Sequence, residues 1–379
     1  MKYLIMDWFG KFQCIGGECS ATCCSGWNIK IDEESIEKYE KLKAEGEELF
    51  ADTYCNENNS MRMVGQSCLF LTEDGWCKLV RNYGEDILCD TCKIYPRMCN
   101  VYGDVNECTV KISCPVVADY LLSEEEIAFI YSEDDKEKDE EYDYVVYDAM
   151  SHIRSYIVDL MQEYREYPLA GRLFCALDAS YKVEKMYQKE ELTIEKTDEL
   201  LKVLRDTMYL DNVCSQVQEL DTNFEVKRKC IVELLQLFFA TQPEDKKADK
   251  NSELRTYLQE IQNNPTIFYE DLDEFTKVCS EYERMYENYF IYQYFAYFMP
   301  DKKKTFRWRM AVLEFCYIQL LAMIAWKREK KLSKTQYRDI IVFVARKLEH
   351  NDIQTETINK LMKENDFEDV ARLWMCLVV

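Results

Sequence analysis

Cysteines are concentrated in the first third of this chain, and cysteine thiolates can act as nucleophiles, redox groups or ligands for soft metals. Twelve of the 18 cysteines precede residue 115, in stretches such as "CIGGECSATCC" (14–24) and "LCDTCKIYPRMC" (88–99). The chain has only two histidines, His152 and His350, and neither lies in this region. Any metal bound there must therefore be held by thiolates, with a carboxylate as the only other option.

Thiolate-only ligation is typical of iron–sulfur clusters and of some zinc sites. Structural zinc sites favour two short pairs of cysteines; Cys89 and Cys92 form one good pair of that kind, and the other spacings are irregular. Cys23 and Cys24 are adjacent, which indicates either a multinuclear site or one ligand beside one packed thiol. A redox dithiol at Cys89 and Cys92 is a third interpretation, but the βαβ pattern that usually accompanies it is missing.

Charge and hydropathy restrict the location and the partners. The net charge is −23, which disfavours nucleic acid and anionic membranes and favours a partner that carries lysines. The first residues, "MKYLIMDWFGKF", lack the apolar run of a signal peptide. The most apolar segment, 315–326, is too short to cross a bilayer and contains Gln319, so it predicts a buried helix. We therefore expect a cytoplasmic protein, whose thiols stay reduced.

The glycines divide the chain into two units. All ten lie at or before Gly171, and a long stretch without glycine indicates helices rather than strands, whose turns need it. The segment 333–350 has a helical apolar face and a capping box at Ser333 and Gln336, and "TNFE" at 222–225 resembles a second one. The predicted fold is mostly α: an irregular cysteine-rich metal-binding unit over 1–118, then an all-helical bundle or array over 119–379. A charged run at about 133–143 is predicted to be a solvated loop.

Four cysteine-containing segments occur in a recognisable order: "CIGGECSATCCSGWNIKID", "CLFLTEDGWCKL", "LCDTCKIYPRMC" and "ISCPVVADYLL". Together they resemble the bacterial flagellin lysine-N-methylase family, which overlaps a group of putative zinc- or iron-chelating cysteine proteins. The aromatic segment "YENYFIYQYFAYFMP" (286–300) is similar to a helix of the same family. The resemblance covers the first ~120 residues best and extends more weakly along the rest of the chain.

The resemblance implies an enzyme that transfers a methyl group from S-adenosylmethionine to lysine side chains of flagellin and contains a [4Fe–4S] cluster. Nine cysteines correspond to the family motifs and become the candidate ligands: Cys14, Cys19, Cys23, Cys24, Cys68, Cys77, Cys89, Cys92 and Cys114. One cubane needs only four of them, so the others are structural or form a second centre. Cys55, Cys99 and Cys108 lie outside the motifs and are expected to be packed or exposed thiols.

Two further features have two interpretations each. Arg97, in "YPR", could pair with the methionyl carboxylate of the donor or form a structural salt bridge. The tyrosines of 282–297 could be core, or could receive an alkylammonium group if their hydroxyls face a cavity. No glycine-rich dinucleotide loop is present, so the donor pocket would be unusual. The alternative function is a non-catalytic iron–sulfur or zinc module, for electron transfer or protein interaction, on a helical scaffold.

Overall fold

The structure is a computed structural model that describes residues 1–50, 54–55, 58–135, 142–242, 250–300, 306–349 and 352–379. The described chain is mostly helical, as predicted. Most of the charged run predicted as a loop, residues 136–141, lies outside the described residues.

Three strands of a four-stranded sheet lie in the part of the chain that was predicted to be irregular, and the fourth strand lies shortly after it. Its strands are β1 (Lys2–Met6), β4 (Arg97–Tyr102), β5 (Val105–Val110) and β6 (Phe129–Glu133), in the spatial order β4-β5-β1-β6. β1 pairs with β5 in parallel and with β6 antiparallel, and β4 and β5 form an antiparallel hairpin. A small ribbon pairs β2 (Met63–Val64) with β3 (Ser67–Cys68). The all-helical prediction for 119–379 is therefore wrong at β6, which completes a sheet whose other strands are distant in sequence.

Short helices surround the cysteine motifs of the first 121 residues: α1 (Trp8–Lys11), α2 (Glu33–Ala44), α3 (Lys78–Tyr83), α4 (Asp90–Ile94) and α5 (Pro115–Leu121). The Asp32 side chain caps α2 by accepting a hydrogen bond from the Ser35 amide at 2.8 Å. Tyr39 of α2 packs with Phe50, Tyr54 and other apolar side chains of residues 29–89 in a small core of their own. Cys68 and Cys89 belong to this second core, which keeps them close to one another.

The described residues after 143 contain helices and no strand, as the missing glycines predicted. The helices are α6 (Tyr144–Gln162), α7 (Leu169–Gln188), α8 (Ile194–Leu204), α9 (Thr207–Asp221), α10 (Phe224–Ala240), α11 (Lys250–Asn263), α12 (Pro265–Cys279), α13 (Glu283–Tyr297), α14 (Trp308–Glu329), α15 (Lys334–Leu348), α16 (Asp352–Glu364) and α17 (Val370–Trp374). The capping box of Ser333 and Gln336 is present at the start of α15. In "TNFE" the cap is Asn223 rather than Thr222, because the Asn223 side chain accepts from the Val226 amide at 3.2 Å.

Two buried helices form the centre of the molecule. α14 is the one described helix that is long and apolar enough to cross a membrane, but 83% of its apolar window is buried inside the protein. It is therefore a core helix, as its sequence predicted, and it extends beyond the predicted segment in both directions. α13 packs against α14 and α6, and nearly all its residues are buried. The sheet lies beside this pair and is joined to α6 by an ion pair between Glu107 and Arg154, both almost fully buried.

Candidate functional site

The structure brings the nine motif cysteines together in two neighbouring groups. Thiol group A consists of Cys24, Cys68, Cys77, Cys89 and Cys92, whose side chains interact electrostatically with one another. Thiol group B consists of Cys14, Cys19, Cys23 and Cys114. The adjacent residues Cys23 and Cys24 belong to different groups and join them, since their thiols are within hydrogen-bonding contact.

Backbone contacts between distant loops position group A. The Cys68 amide donates to the Cys24 carbonyl at 2.7 Å, and Ser25 forms a bridge with Ser67. A second bridge joins Leu71 to Cys77, so the loop between Cys68 and Cys77 folds back on itself. The turn at the start of α4 then places Cys92 beside Cys89, with the Cys92 amide 2.9 Å from the Cys89 carbonyl. Three segments that are far apart in sequence thus meet at one place.

The thiols within the two close pairs ionise unequally. The hydrogen bond with Cys23 lowers the pKa of the Cys24 thiol to about 6, and the same contact raises the pKa of Cys23. Contact with Cys92 likewise lowers the pKa of Cys89, while the pKa of Cys92 is raised. Two neighbouring thiolates repel each other, so each pair holds one negative charge readily and a second only with a cation nearby. Such pairs suit a metal centre, which supplies that positive charge.

The donor chemistry fits a thiolate-bound centre, but the positions do not define a single-ion site. Within the part of the chain that the structure describes, no three cysteine, histidine or acidic side chains are arranged to hold one metal ion. An iron–sulfur cluster spreads its four thiolates over four irons, so it requires wider spacing than one zinc ion. The assignment of the nine cysteines as ligands stays a prediction. The six scattered cysteines lie in the helical part of the chain, after residue 143.

Gly17 sets how closely the loop of group B can approach group A. A Cβ at this position would lie 2.6 Å from Cδ1 of Trp76 and 2.9 Å from the carbonyl oxygen of Asp74, beside Cys77. We expect Gly17→Ala to displace this loop and to destabilise the cysteine-rich region by about 1–3 kcal/mol, because the chain is overpacked there. Urea unfolding and the rate at which a thiol reagent labels the free protein measure the effect.

Gly10→Ala is the matched control for that variant, since a Cβ at Gly10 meets nothing within 4 Å. It should leave both the unfolding curve and the labelling rate unchanged. Equal labelling and stability in the two variants would contradict the close packing of the Gly17 loop on Trp76.

Three predicted positions have structural partners of their own. The Arg97 guanidinium donates to the Phe12 carbonyl at 3.1 Å and stacks over the rings of Phe9 and Phe12. Its role in binding the donor stays a prediction, and Arg97 is not part of the large cavity described below. Cys99 and Cys108 were expected to be thiols, and this is wrong: they face each other on β4 and β5 and form a disulfide. Sequence spacing gives no sign of this pairing, which depends on the register of the hairpin.

A cavity of about 990 Å³ lies between β4 and the helices. Its wall on the sheet side comes from Met98–Tyr102 and Lys111, and its opposite wall from α6, α7, α13, α14, α15 and α16. This volume is at the upper end of the range for cavities that bind drug-sized ligands. The cavity therefore lies between the cysteine-containing half and the helical half of the chain.

Buried acids and tyrosines converge on this cavity. Glu314 and Glu349 both line it, and Gln293 donates to Glu314 at 2.9 Å. The Tyr292 hydroxyl, just behind the wall, donates to Glu349 at 2.7 Å, and the Tyr297 ring packs edge-on against Tyr292. Burial raises the pKa of Glu314 well above its usual range, and the nearby Glu349 raises it further. Burial also raises the pKa of Glu349, although Lys111 opposes that change.

The aromatic helix α13 has both of the roles that its sequence allowed. Tyr286 and Tyr289 are packed in the core, whereas Gln293 and Tyr297 line the cavity. Glu287, on another side of the helix, is bound by three arginines: Arg172 at 2.6 Å, Arg284 at 3.0 Å and Arg165 at 3.1 Å. Asn288 donates to the Glu125 carbonyl at 3.0 Å. Glu287 and Asn288 thus hold α13 in place, and α13 supplies part of the cavity wall.

A short segment connects the cavity to group B. The Ile112 amide lies 3.4 Å from the Tyr292 hydroxyl, and the Ser113 hydroxyl lies 3.2 Å from that of Tyr95. Cys114 follows directly at the start of α5. Arg346 of α15 donates to the Ser113 carbonyl at 3.1 Å and also to the carbonyl of Ala21, two residues before Cys23. Group B and the residues that line the cavity are therefore joined by hydrogen bonds through this segment.

Sequence reasoning did not identify Glu314 or Glu349. Glu314 occurs within the apolar run "RMAVLEFCYIQLL" (309–321), and a lone acid in such a run is the one signal that could have revealed it. Glu349 follows the last residue of α15 in a polar stretch, where an acid is ordinary. Only the packing of α13, α14 and α15 shows that the two face the same space.

Fold and site define a helical protein with a thiol-rich unit and a half-open cavity lined by acidic and aromatic groups. The profile of the FliB lysine N-methylase C-terminal domain matches residues 154–376, which are 223 of the 379 residues. The chain therefore belongs to the FliB lysine N-methylase family. The match lies in the helical part, where the resemblance read from the sequence was weaker.

Curated relatives match over shorter stretches. The lysine-N-methylase of Salmonella typhimurium is 27% identical over 123 residues, which are 30% of this chain and 31% of that protein. The flagellar biosynthetic protein FliU of Salmonella muenchen is 28% identical over 122 residues, 30% of this chain and 72% of FliU. The chain thus spans about a third of the length of the lysine-N-methylases it matches. No solved structure matches it significantly.

Proposed function

We propose that this protein is a protein-lysine N-methyltransferase that transfers a methyl group from S-adenosylmethionine to lysines of a flagellin-like substrate. Membership of the FliB family supports the reaction class. The names of its relatives, lysine-N-methylase and flagellar biosynthetic protein FliU, support a flagellar substrate. The net charge of −23 favours encounter with a lysine-bearing surface at low salt.

The observation that carries the proposal is the composition of the cavity wall. Both substrates of such a reaction are cations: a lysine side chain and a methyl sulfonium. Glu314 and Glu349 can offset positive charge, and the tyrosine rings can hold an alkylammonium or a sulfonium group by cation–π contact. At about 990 Å³ the cavity has room for a drug-sized donor and the end of a side chain.

The thiol groups are the proposed site of the iron–sulfur centre. Group B offers four thiols, Cys14, Cys19, Cys23 and Cys114, and group A offers five, of which one cubane would use four. A set of thiols without histidine supports a cluster, and zinc is the alternative metal. When bound, the cluster supplies cross-links between loops that have little core of their own. The residues of the chain bind the substrates and move the proton.

A methylation assay tests the proposed function. The iron- and sulfide-reconstituted protein is incubated anaerobically with S-adenosylmethionine and either flagellin or a panel of lysine-rich proteins, and mass spectrometry of the digested substrate detects added methyl groups. We expect methylated lysines in flagellin and none when the donor is omitted. If the reconstituted protein modifies no member of the panel, the methyltransferase assignment fails, and the non-catalytic metal-binding module takes its place.

A further inference from the structure

We propose that Glu349 binds the ammonium group of the incoming lysine and removes its proton, so that the amine can attack the methyl donor. This inference rests on the proposed methyltransferase function and assigns the proton acceptor within it. A lysine has a reference pKa of about 10.4, so almost all of it carries a proton at neutral pH and has no lone pair for the attack. A site for lysine methylation therefore needs a base or a strongly desolvating pocket.

Three polar atoms at the cavity wall lack a hydrogen-bond partner among the described residues. They are Oε1 of Glu314, Oε2 of Glu349 and the hydroxyl of Tyr297, and solvent reaches none of them. An unpaired buried polar atom costs about 1–3 kcal/mol, so a ligand that donates hydrogen bonds to these three atoms would be stabilised in the cavity. All three can accept a hydrogen bond, and a primary ammonium group has three N–H donors and no acceptor. The number and the polarity of these groups therefore match an ammonium ligand.

The surroundings distinguish the two acids. Glu314 is only 4% exposed, and the polar side chains that contact it, Gln293 and Tyr289, are both neutral. Glu349 accepts from Tyr292 and lies near the positive charge of Lys111, which favours its ionised form. Two carboxylates in one cavity repel each other, so one proton stays between them. The better site for that proton is Glu314, and Glu349 carries the negative charge.

Glu349 is also suited to taking the proton from the lysine. It is the C-terminal cap of α15, where the negative end of the helix dipole disfavours a carboxylate. Burial also raises the pKa of its carboxyl group, because it removes the carboxylate from water. The residue as a whole is partly exposed, although its Oε2 atom is shielded. The other charged and titratable groups that face it or line the same cavity are Lys111, Tyr292, Tyr297, Glu314, Asp143, Arg307, Tyr102, Tyr142 and Tyr187.

The reaction balances with this assignment. The ammonium nitrogen of lysine passes one proton to the Glu349 carboxylate and becomes a neutral amine. Its lone pair forms a bond to the methyl carbon of the sulfonium while the carbon–sulfur bond breaks, and sulfur keeps the electron pair as a thioether. The positive charge moves from sulfur to the methylated nitrogen, and the proton on Glu349 leaves to solvent. A second methylation repeats the proton transfer from the methylated ammonium.

The kinetic test uses Glu349→Gln, which keeps the size of the side chain and an oxygen for Tyr292 but cannot take a proton. We expect kcat to fall by about 10²- to 10⁴-fold at pH 7. The difference in kcat between wild type and variant should become smaller as the pH rises toward the pKa of free lysine, because more of the lysine substrate is then a neutral amine. Glu349→Asp should keep part of the rate. The control, Glu329→Gln, changes an exposed acid at the far end of α14 and should stay within about twofold of wild type.

A binding experiment separates the inference from the proposed function. Calorimetry with n-butylammonium chloride needs no turnover, and Glu349→Gln should weaken its binding about tenfold or more, since a charge-assisted hydrogen bond is lost. A wild type that methylates nothing overturns the proposed function, and the binding result then decides whether the cavity takes an ammonium group. Equal binding of the probe by wild type and Glu349→Gln, or methylation by the variant within about threefold of wild type at pH 7, overturns the role of Glu349.

Discussion

We expect the Cys92→Ser protein to purify with much less iron and sulfide than wild type and to lose methylation activity. Cys92 lies in group A, next to Cys89 and close to Cys23 and Cys24 of both groups. Loss of one thiolate removes a bond that holds loops from three parts of the chain, and a metal-dependent region loses folding energy with its metal. Iron and sulfide analysis, visible absorbance and thermal unfolding of the anaerobic protein measure the outcome.

Cys316→Ala is the control for this variant, because Cys316 is a buried thiol in α14 that belongs to neither group. Its cluster content should equal that of wild type, with at most a small loss of stability. Equal iron content in the Cys92→Ser and wild-type proteins would show that Cys92 is not a ligand. Loss of iron in both variants would point to general misfolding and would contradict the assignment of the metal to the thiol groups.

Glu287→Gln is expected to have the largest effect on stability, about 3–5 kcal/mol of the free energy of unfolding. Glu287 is 2% exposed and is the shared anion for Arg165, Arg172 and Arg284. Arg172 is itself 1% exposed and also donates to the carbonyls of Tyr167 and Met161. The substitution replaces the Glu287 carboxylate, which lies 2.6 Å from the buried Arg172 guanidinium, with a neutral amide. Urea unfolding followed by circular dichroism gives the change.

Glu283→Gln is the matched control, one turn earlier on the same helix. Glu283 also binds Arg172, at 2.8 Å, but its side chain is 50% exposed. Solvent screens such a pair, so its loss should cost no more than about 1 kcal/mol. If both variants lose the same small amount of stability, Glu287 does not hold α13 in place.

Local chemistry made the helical half of the chain predictable. The absence of glycine after Gly171 and the capping box at Ser333 are statements about neighbouring residues, and helices are formed by neighbours. The grouping of the nine motif cysteines also follows the sequence, because their order along the chain matches a known set of motifs. Their separation into groups A and B depends on which loop lies next to which, and no spacing contains that information.

Contacts between distant residues account for what the sequence did not reveal. β1 pairs with β5 across about a hundred residues, so neither strand has a hairpin signal to mark the pairing. The disulfide of Cys99 and Cys108 depends on the register of the β4–β5 hairpin, which places the two directly opposite each other. A shift by one residue would turn one of these side chains to the other face of the sheet.

The sequence by itself determined the chemistry that this protein carries: a set of thiols without histidine, an acidic surface and a long helical region. Only the tertiary structure decided which of these side chains come together in space. Glu314 and Glu349 come from two helices and face one cavity because α13, α14 and α15 pack side by side, and β4 closes the space from the other half of the chain. Side-chain types are fixed residue by residue, whereas a cavity exists only between elements, and its position depends on how those elements pack.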